Sequence, residues 1–135
     1  MSQNVLLINV SPTVRFAIRN ALDESEFALC KEALTETQSH HLYESIKPIA
    51  VVVDLTLSPH QRLKSLRQFY KQHPESRIAV IYNHISRLNG ADVRRAGAKE
   101  MMAFPFSKPH FLAALRRMTS GSRVDIPAVD GEQGD

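Results

Sequence analysis

The chain has 135 residues, of which 43% are hydrophobic and 23% are charged, and its formal net charge at pH 7 is +3. This size and composition predict a single soluble globular domain, and no apolar run approaches the roughly 20 residues that a membrane-spanning helix needs. The single cysteine, Cys30, excludes an internal disulfide framework, and together with an N-terminus that lacks a basic leader segment it favours a cytoplasmic location.

The positive charge is concentrated in the C-terminal third. Residues 84–123 contain eight basic and two acidic side chains, whereas the part before them is nearly neutral. The last twelve residues, 124–135, contain four acids and no base. Because the end of the chain is rich in Gly, Ser, Pro and Asp and has no periodicity, we predict a folded domain over residues 1–119 and a disordered acidic tail over residues 120–135.

Strand and helix signals alternate along the first half. Residues 5–8 form a short apolar run, which predicts the first strand. Ser11 can cap a helix and Pro12 suits its first turn, and apolar residues then recur at helical spacing as far as Leu22. The next signals predict, in order, a strand over residues 27–33, a helix over residues 37–46 and a strand over residues 49–53.

The second half continues this alternation. Asn89-Gly90 weakens the pattern of its second helix, and Gly97 is suited to end that helix. Such alternation is typical of an α/β fold. Right-handed crossovers favour a single doubly wound, flavodoxin-like parallel sheet of five strands in the order 2-1-3-4-5, with five helices. The elements predicted here are helices over residues 63–72, 87–96 and 107–118 and strands over residues 78–82 and 101–104.

Asp54 ends the most apolar stretch of the chain, Ile49–Val53. A run this apolar predicts a strand that is buried on both faces of the sheet. A carboxylate at the C-terminal end of such a strand lies where open α/β sheets bind ligands. In the predicted strand order four strand ends meet at one crevice, and its rim consists of Asn9, Val10, Asp54, Tyr82, Asn83 and Phe104.

Three parts of the sequence resemble response-regulator receiver domains. Residues 6–15 are similar to the family's opening, which reads apolar run, Asp-Asp and then Ser-Pro-x-x-Arg. Residues 48–55 resemble the strand that ends in the phospho-accepting aspartate. Residues 96–98 and 104–106 resemble the closing Ala-Gly-Ala…Lys-Pro-Phe signature, whose proline is cis. The resemblance covers roughly residues 4–118 and implies a receiver of two-component, phosphorelay signal transduction.

The same comparison of motifs shows where this sequence departs from the family. Asp54 keeps the phospho-acceptor position, but the two acids that hold Mg²⁺ in receivers correspond to Asn9 and Val10. The Thr or Ser that contacts the phosphoryl group corresponds to Tyr82, and the Lys corresponds to Phe104. Mg²⁺ prefers carboxylate oxygens, and phosphoryl transfer depends on positioning and charge neutralisation. We therefore expect a degenerate pseudo-receiver that has lost its Mg²⁺ site and binds no cofactor.

Three interpretations of Asp54 stay open. In the first, it is a relic carboxylate held by hydrogen bonds from Asn9, Tyr82 or nearby backbone N–H groups, with Tyr82 and Phe104 filling the emptied pocket. In the second, it is phosphorylated slowly by a small phosphodonor or an unusual kinase. In the third, it binds another cation or ligand. Met101 stands where receivers place their switch aromatic, so the family's coupling of aromatic and Thr rotamers is not expected.

A partner-binding face is expected on or near the fourth helix, fifth strand and fifth helix, which in receivers commonly mediates dimerisation and docking of protein partners. The alternative is ordinary solvated charge. Nucleic-acid binding is not expected, because the sequence has neither a reading helix nor interleaved aromatic residues. The basic residues of this face are Arg87, Arg94, Arg95, Lys99, Arg116 and Arg117.

No motif of a catalytic or metal site stands out in the sequence. His40 and His41 are adjacent on a polar helix and the other histidines lack ligand spacing, which favours a solvated face. The sequence has neither a Gly-x-Ser-x-Gly elbow nor a Gly-rich phosphate loop. We expect a non-enzymatic protein that acts by phosphorylation-independent protein–protein contact. The first alternative is a phosphorelay receiver still phosphorylated on Asp54, and the second is nucleic-acid binding through the basic face.

Overall fold

The computed structural model describes residues 3–121, which form five strands and five helices in strict alternation. The predicted acidic tail, from residue 122 onward, lies outside the described residues. In chain order the elements are β1 (Gln3–Ile8), α1 (Pro12–Leu22), β2 (Phe27–Ala33), α2 (Glu36–Ile46), β3 (Ala50–Asp54), α3 (Pro59–Gln72), β4 (Ile78–Tyr82), α4 (Gly90–Arg95), β5 (Ala98–Ala103) and α5 (Lys108–Gly121).

All five strands pair in parallel, in the order β2-β1-β3-β4-β5. This confirms the predicted flavodoxin-like sheet. The central strand β3 lies between β1 and β4, with Ile8 opposite Val53 on one side and Ile81 opposite Asp54 on the other. The C-terminal ends of these three strands therefore meet at one edge of the sheet, where Asp54 lies.

Two apolar cores cover the two faces of the sheet. In β3, Val52 faces the core under α1 and α5, whereas Val51 and Val53 face the core under α2, α3 and α4. Successive strand residues point to opposite faces, so a run of five apolar residues supplies both cores. Burying each Val or Leu side chain stabilises the fold by about 1.5–3 kcal/mol. This double coverage holds β3 rigidly in the middle of the molecule.

The helix that follows β1 starts as predicted. The Ser11 side chain accepts a hydrogen bond from the Val14 N–H, and Pro12 is the first helical residue. The N–H of Arg15 then donates to the Ser11 carbonyl at 2.8 Å, which begins the helical ladder. This capped start fixes the backbone N–H groups of the β1–α1 loop at the sheet edge.

Several element bounds differ from the prediction. Helix α3 begins at Pro59, four residues before the predicted start, because proline at the first helical position needs no N–H partner. Helix α4 is only Gly90–Arg95, since Asn89 caps it by accepting from the Ala91 N–H, while Arg87 (φ 52°) lies outside it in a left-handed conformation.

The last two elements are longer than predicted. Strand β5 begins at Ala98, three residues early, and ends before Phe104, which still donates its N–H to the Tyr82 carbonyl at 2.7 Å. Helix α5 continues to Gly121, so the first two residues assigned to the tail are helical. Ser107 is not part of α5 but caps it, since its hydroxyl accepts from the His110 N–H. None of the helices in the described part of the chain has the length and apolar character needed to cross a membrane.

Candidate functional site

Asp54 is the last residue of β3 and its side chain is completely buried, with 0% of the residue exposed. Its Oδ2 accepts a hydrogen bond from the Ser11 N–H at 2.9 Å. Its Oδ1 accepts two more, from the Thr56 N–H at 2.8 Å and from the Thr56 hydroxyl at 2.6 Å. Both carboxylate oxygens are therefore satisfied by the protein, as a buried carboxylate requires.

These donors come from the loops on either side of the strand end. Ser11 belongs to the β1–α1 loop and Thr56 to the β3–α3 loop. The sequence offered Asn9, Tyr82 or nearby backbone N–H groups as donors, and among the described residues no hydrogen bond joins the side chain of Asn9 or Tyr82 to Asp54. The nearby backbone N–H groups named in the same interpretation supply two of the three bonds, and the Thr56 hydroxyl supplies the third.

Arg62 is a functional-site residue that the sequence did not predict. Its Nη1 donates to the backbone carbonyl of Asp54 at 2.9 Å and also to the backbone carbonyl of Asn9. Asn9 has a φ of 52°, the left-handed conformation that Asn tolerates better than most residues. Pro59 is the sequence feature that could have indicated Arg62. A helix that starts at Pro59 places Arg62 in its first turn, beside the ends of β1 and β3.

The remaining rim positions are apolar or partly buried. Val10 is buried in the core under α1 and α5, and Phe104 packs against that same core. The Phe104 ring meets Phe106 edge-on at a centroid distance of 5.7 Å. The Phe104–Pro105 peptide bond is cis, in agreement with the closing signature. Tyr82 ends β4 and is half-buried.

The Asp54 carboxylate has no open, hydrated pocket around it, because none of the residue is exposed to solvent. An open pocket would have contradicted the idea that Tyr82 and Phe104 fill the space vacated by the lost site. The filling of that space by the Tyr82 and Phe104 rings stays a prediction.

The donor set at the strand ends does not fit a Mg²⁺ ion. A magnesium site would need several hard oxygens free to turn toward the ion. Here Asp54 supplies a carboxylate whose two oxygens already accept three hydrogen bonds, Val10 supplies no side-chain oxygen, and the Asn9 and Asp54 carbonyls bind Arg62. Within residues 3–121 no three His, Cys, Asp or Glu side chains are grouped so as to hold a metal ion.

The β4–α4 loop is tied to the β3–α3 loop by a buried serine. The Ser86 hydroxyl donates to the Leu55 carbonyl at 3.0 Å and also bonds the Asn83 side-chain oxygen at 2.8 Å. Asn83 in turn accepts from the Ser86 N–H at 2.9 Å. Met101, at the switch-aromatic position, packs against the core under α2, α3 and α4 with Leu88. These bonds tie the β4–α4 loop to Leu55, the residue that follows Asp54.

The six predicted basic-face residues do not form one free cationic patch. Arg95 pairs with Asp92, and Arg117 pairs with Glu100 at 2.9 Å. Lys99 lies 5.4 Å from the centre of the Tyr70 ring.

The other three residues of the predicted basic face, Arg116, Arg94 and Arg87, have different surroundings. Arg116 pairs with Glu26 at 2.8 Å, in the loop between α1 and β2, and so points away from α4 and β5. This ion pair lowers the pKa of Glu26 to about 2, chiefly through the hydrogen bond from Arg116. Arg94 donates to the Lys99 carbonyl at 3.2 Å, and Arg87 is exposed in the loop before α4.

Two histidines that the sequence assigned to a solvated surface are packed instead. His40 Nδ1 lies 3.1 Å from His73 Nε2, and His73 is only 5% exposed. The two rings pack with Tyr43 and Phe69 between α2 and the end of α3. Burial, and secondarily the charge of His40, lowers the pKa of His73 below its usual value.

Comparison with known proteins points to one class of protein. Protein CcdB from Bacillus subtilis is 25% identical over 114 residues, covering 84% of this chain and 95% of that protein. The chemotaxis protein CheY of Listeria monocytogenes is 24% identical over 113 residues, covering 84% of this chain and 95% of CheY. No family model matches the chain.

Solved structures share the fold at low identity. A response regulator from Thermotoga maritima superposes with a TM-score of 0.74 at 20% identity, over 89% of this chain and 99% of that one. The relatives and structural neighbours are CheY-like response-regulator receiver domains, and this chain has their fold.

Proposed function

We propose that the chain is a receiver-type module of a two-component signalling pathway that acts by contact with a protein partner and without phosphorylation of Asp54. The proposal includes a cytoplasmic location and the absence of enzymatic activity. The comparisons support the proposal because they include a chemotaxis protein among the relatives and a response regulator among the solved structures. Its support from this chain is the Asp54 carboxylate, whose two oxygens are buried and already bonded.

A phospho-acceptor must present one carboxylate oxygen to phosphorus in line with the leaving group. In this chain Oδ2 would have to leave the Ser11 N–H, or Oδ1 would have to leave both donors of Thr56. Each broken hydrogen bond to a charged group costs about 1.5–3 kcal/mol. No compensation is offered at positions 9, 10, 82 and 104, where Asn, Val, Tyr and Phe cannot neutralise the charge of a transferred phosphoryl group.

The alternative function is slow phosphorylation on Asp54, and one observation favours it. Arg62 places a guanidinium against the backbone carbonyl of Asp54, which is a cation near the reacting group. Yet the bonds that hold it go to carbonyl oxygens of Asn9 and Asp54, so moving it toward a phosphoryl group would release both loops. We therefore place this function second.

The surface for the protein partner is proposed on α4, β5 and α5. Arg87, Arg94 and Lys99 are exposed there and lie outside the ion pairs found among residues 3–121. Such a surface favours an acidic protein partner. Homodimerisation through the same face is the alternative, and nucleic-acid binding is less favoured because Arg95, Arg116 and Arg117 are paired with acids.

Phosphorylation is tested by incubating the protein with Mg²⁺ and acetyl phosphate and measuring its intact mass. We expect no increase, because the carboxylate is occupied and no cation site balances the added charge. The same incubation of Asp54→Asn gives the background, and a CheY protein treated in parallel shows that the phosphodonor is active. An adduct of about 80 Da that Asp54→Asn lacks would establish the alternative function instead.

A further inference from the structure

A cavity of about 210 Å³ lies between α2 and α3 at the carboxyl edge of the sheet. Its inner wall is apolar and consists of Ile8, Val53, Leu66 and Phe69, all of which are buried. Binding pockets for drug-sized molecules usually span about 300–1,000 Å³, so this one suits a smaller ligand. The wall is formed by side chains of the packed core, so the cavity is formed before any ligand arrives.

The rim of this cavity is polar and carries one charge of each sign. Arg62 of α3 and Glu36 of α2 both line it, together with Ser39, Ser65 and Asn9. Within residues 3–121 neither Arg62 nor Glu36 takes part in an ion pair. Two opposite charges on facing helices that leave each other unpaired suit a ligand that carries both signs.

Arg62 has donors left for such a ligand. A guanidinium has five N–H groups, and the Nη1 of Arg62 uses its own on the carbonyls of Asn9 and Asp54. The Nη2 and Nε groups of Arg62 make no hydrogen bond within the described part of the chain. Because Nη1 is held, the rest of the guanidinium is fixed in place, and a planar fork of this kind matches a carboxylate.

Glu36 is free on the other helix. It is the first residue of α2 and exposed, and no hydrogen bond to its carboxylate is formed among residues 3–121. Ser39, one turn further, is buried and its hydroxyl donates to the Glu36 backbone carbonyl at 2.6 Å. That bond fixes the first turn of α2 and leaves the Glu36 side chain available for an ammonium group.

We propose that this α2–α3 cavity binds a small apolar α-amino acid. The carboxylate of the ligand pairs with Arg62, its ammonium pairs with Glu36, and its aliphatic side chain lies against Leu66 and Phe69. An amino acid of leucine size carries both charges and an aliphatic side chain, as the charged rim and the apolar wall of this cavity require. A simple fatty acid would leave Glu36 without a partner, and an amine would leave Arg62 without one.

The binding is tested with L-leucine, using isotope-labelled protein and NMR titration. We expect saturable shifts at Ser65, Leu66 and Phe69. 4-Methylpentanoate, which lacks the ammonium, and isoamylamine, which lacks the carboxylate, should each bind about tenfold or more weakly, because each loses one charge-assisted contact. Equal binding of leucine and 4-methylpentanoate, or no saturable shift with leucine, would overturn the proposal.

Variants locate the site without depending on Arg62, whose loss also loosens two loops. Glu36→Gln, an exposed change in the first turn of α2, should weaken leucine binding about tenfold or more. Ser65→Leu fills the cavity and should abolish binding while the protein stays folded. Glu24→Gln, an exposed acid in the α1–β2 turn, is the matched control and should bind leucine as the parent does. Full binding by both Glu36→Gln and Ser65→Leu would place leucine elsewhere and refute the proposed site.

Discussion

At the scale of residues, Arg62 holds the two loops that flank Asp54. A single guanidinium nitrogen bridges the carbonyls at the ends of β1 and β3, beside a carboxylate that is itself bonded to both loops. A cation is thus built into the chain at the strand ends. It donates to the backbone oxygens of Asn9 and Asp54 and so ties the two loops together, which is the structural role we assign to it.

Replacing Arg62 by Met should lower the free energy of unfolding by about 2 kcal/mol, because the backbone carbonyls of Asn9 and Asp54, both in part-buried hydrogen bonds, lose a charged donor. The measurement is urea unfolding followed by circular dichroism. Arg67→Met, an exposed arginine of the same helix, is the control and should change the free energy of unfolding by less than about 0.5 kcal/mol. Equal stability of the two variants would show that the bridge contributes nothing.

At the scale of elements, most strands could be predicted because apolar runs identify them directly. Strands β2 and β4 have the predicted bounds, and the Ser11-Pro12 start of α1 is confirmed. The ends of α4 and β5 could not be predicted, because they depend on how Asn89 caps the helix and on how far the ladder with β4 extends. Arg62 was missed because the start of α3 was placed at residue 63 and not at Pro59. The Thr56 hydroxyl was missed as a donor to Asp54 because the loop after Asp54 has no periodic pattern.

Two glycines near α4 should respond oppositely to substitution by alanine. Gly97 has a φ of +125°, and a Cβ there would run into the Tyr70 ring. Gly97→Ala should therefore lower the free energy of unfolding by more than about 1 kcal/mol. Gly90 is the first residue of α4, and its added Cβ would meet the Met101 sulfur at an ordinary 3.8 Å. Gly90→Ala should therefore raise the free energy of unfolding by up to about 1 kcal/mol, because alanine restricts the unfolded chain more than glycine does. The measurement is thermal and urea unfolding of both variants. A loss of stability in Gly90→Ala as large as in Gly97→Ala would contradict this prediction.

The contact between α2 and α3 should weaken in acid. Burial, then His40, lowers the pKa of His73, whereas Glu75 and Glu44 act in the opposite direction. The unfolded chain therefore binds more protons than the folded one below about pH 6.5, and stability must rise with pH there. The stability that neutral, buried His73 contributes is complete above about pH 6.5 and is lost as the pH falls through the folded-state pKa of His73.

This pH dependence is measured as the urea midpoint between pH 5 and pH 8. His73→Phe, which keeps an aromatic ring beside Tyr43 and Phe69, should flatten the curve between pH 5 and pH 6.5. His110→Gln, at an exposed position of α5, should leave its shape unchanged. A parent protein whose midpoint rises on acidification in this window would have the wrong sign for a buried, neutral His73.

At the scale of the whole molecule, ion pairs lie on both sides of the sheet. Arg116–Glu26 and Arg15–Glu32 lie on the side of α1 and β2, and Arg95–Asp92 and Arg117–Glu100 lie at α4 and β5. Exposed cations outside these pairs remain around α4 and β5, on the surface proposed for the partner. Two copies joined through that face would bring like charges together. An acidic partner would not, which is why we favour a protein other than a second copy.

Self-association should therefore be weak at low salt. We expect a monomer at micromolar concentration in 50 mM NaCl by sedimentation velocity, because the Arg94 and Lys99 regions of two copies repel each other and the Debye length still exceeds about 10 Å. Arg94→Glu should not reduce association further. A dimer present at low salt that dissociates in Arg94→Glu would instead identify this face as a homodimer interface.

The central claim, that Asp54 is not a phosphorylation site, is tested most directly with beryllofluoride, which mimics a phosphoryl group on aspartate. Mg²⁺ and beryllofluoride are added to isotope-labelled protein while the amide signals of Ser11 and Thr56 are followed, because those N–H groups bond the carboxylate. The account predicts that both signals stay in place. Saturable shifts at both amides, absent in Asp54→Asn, would contradict it.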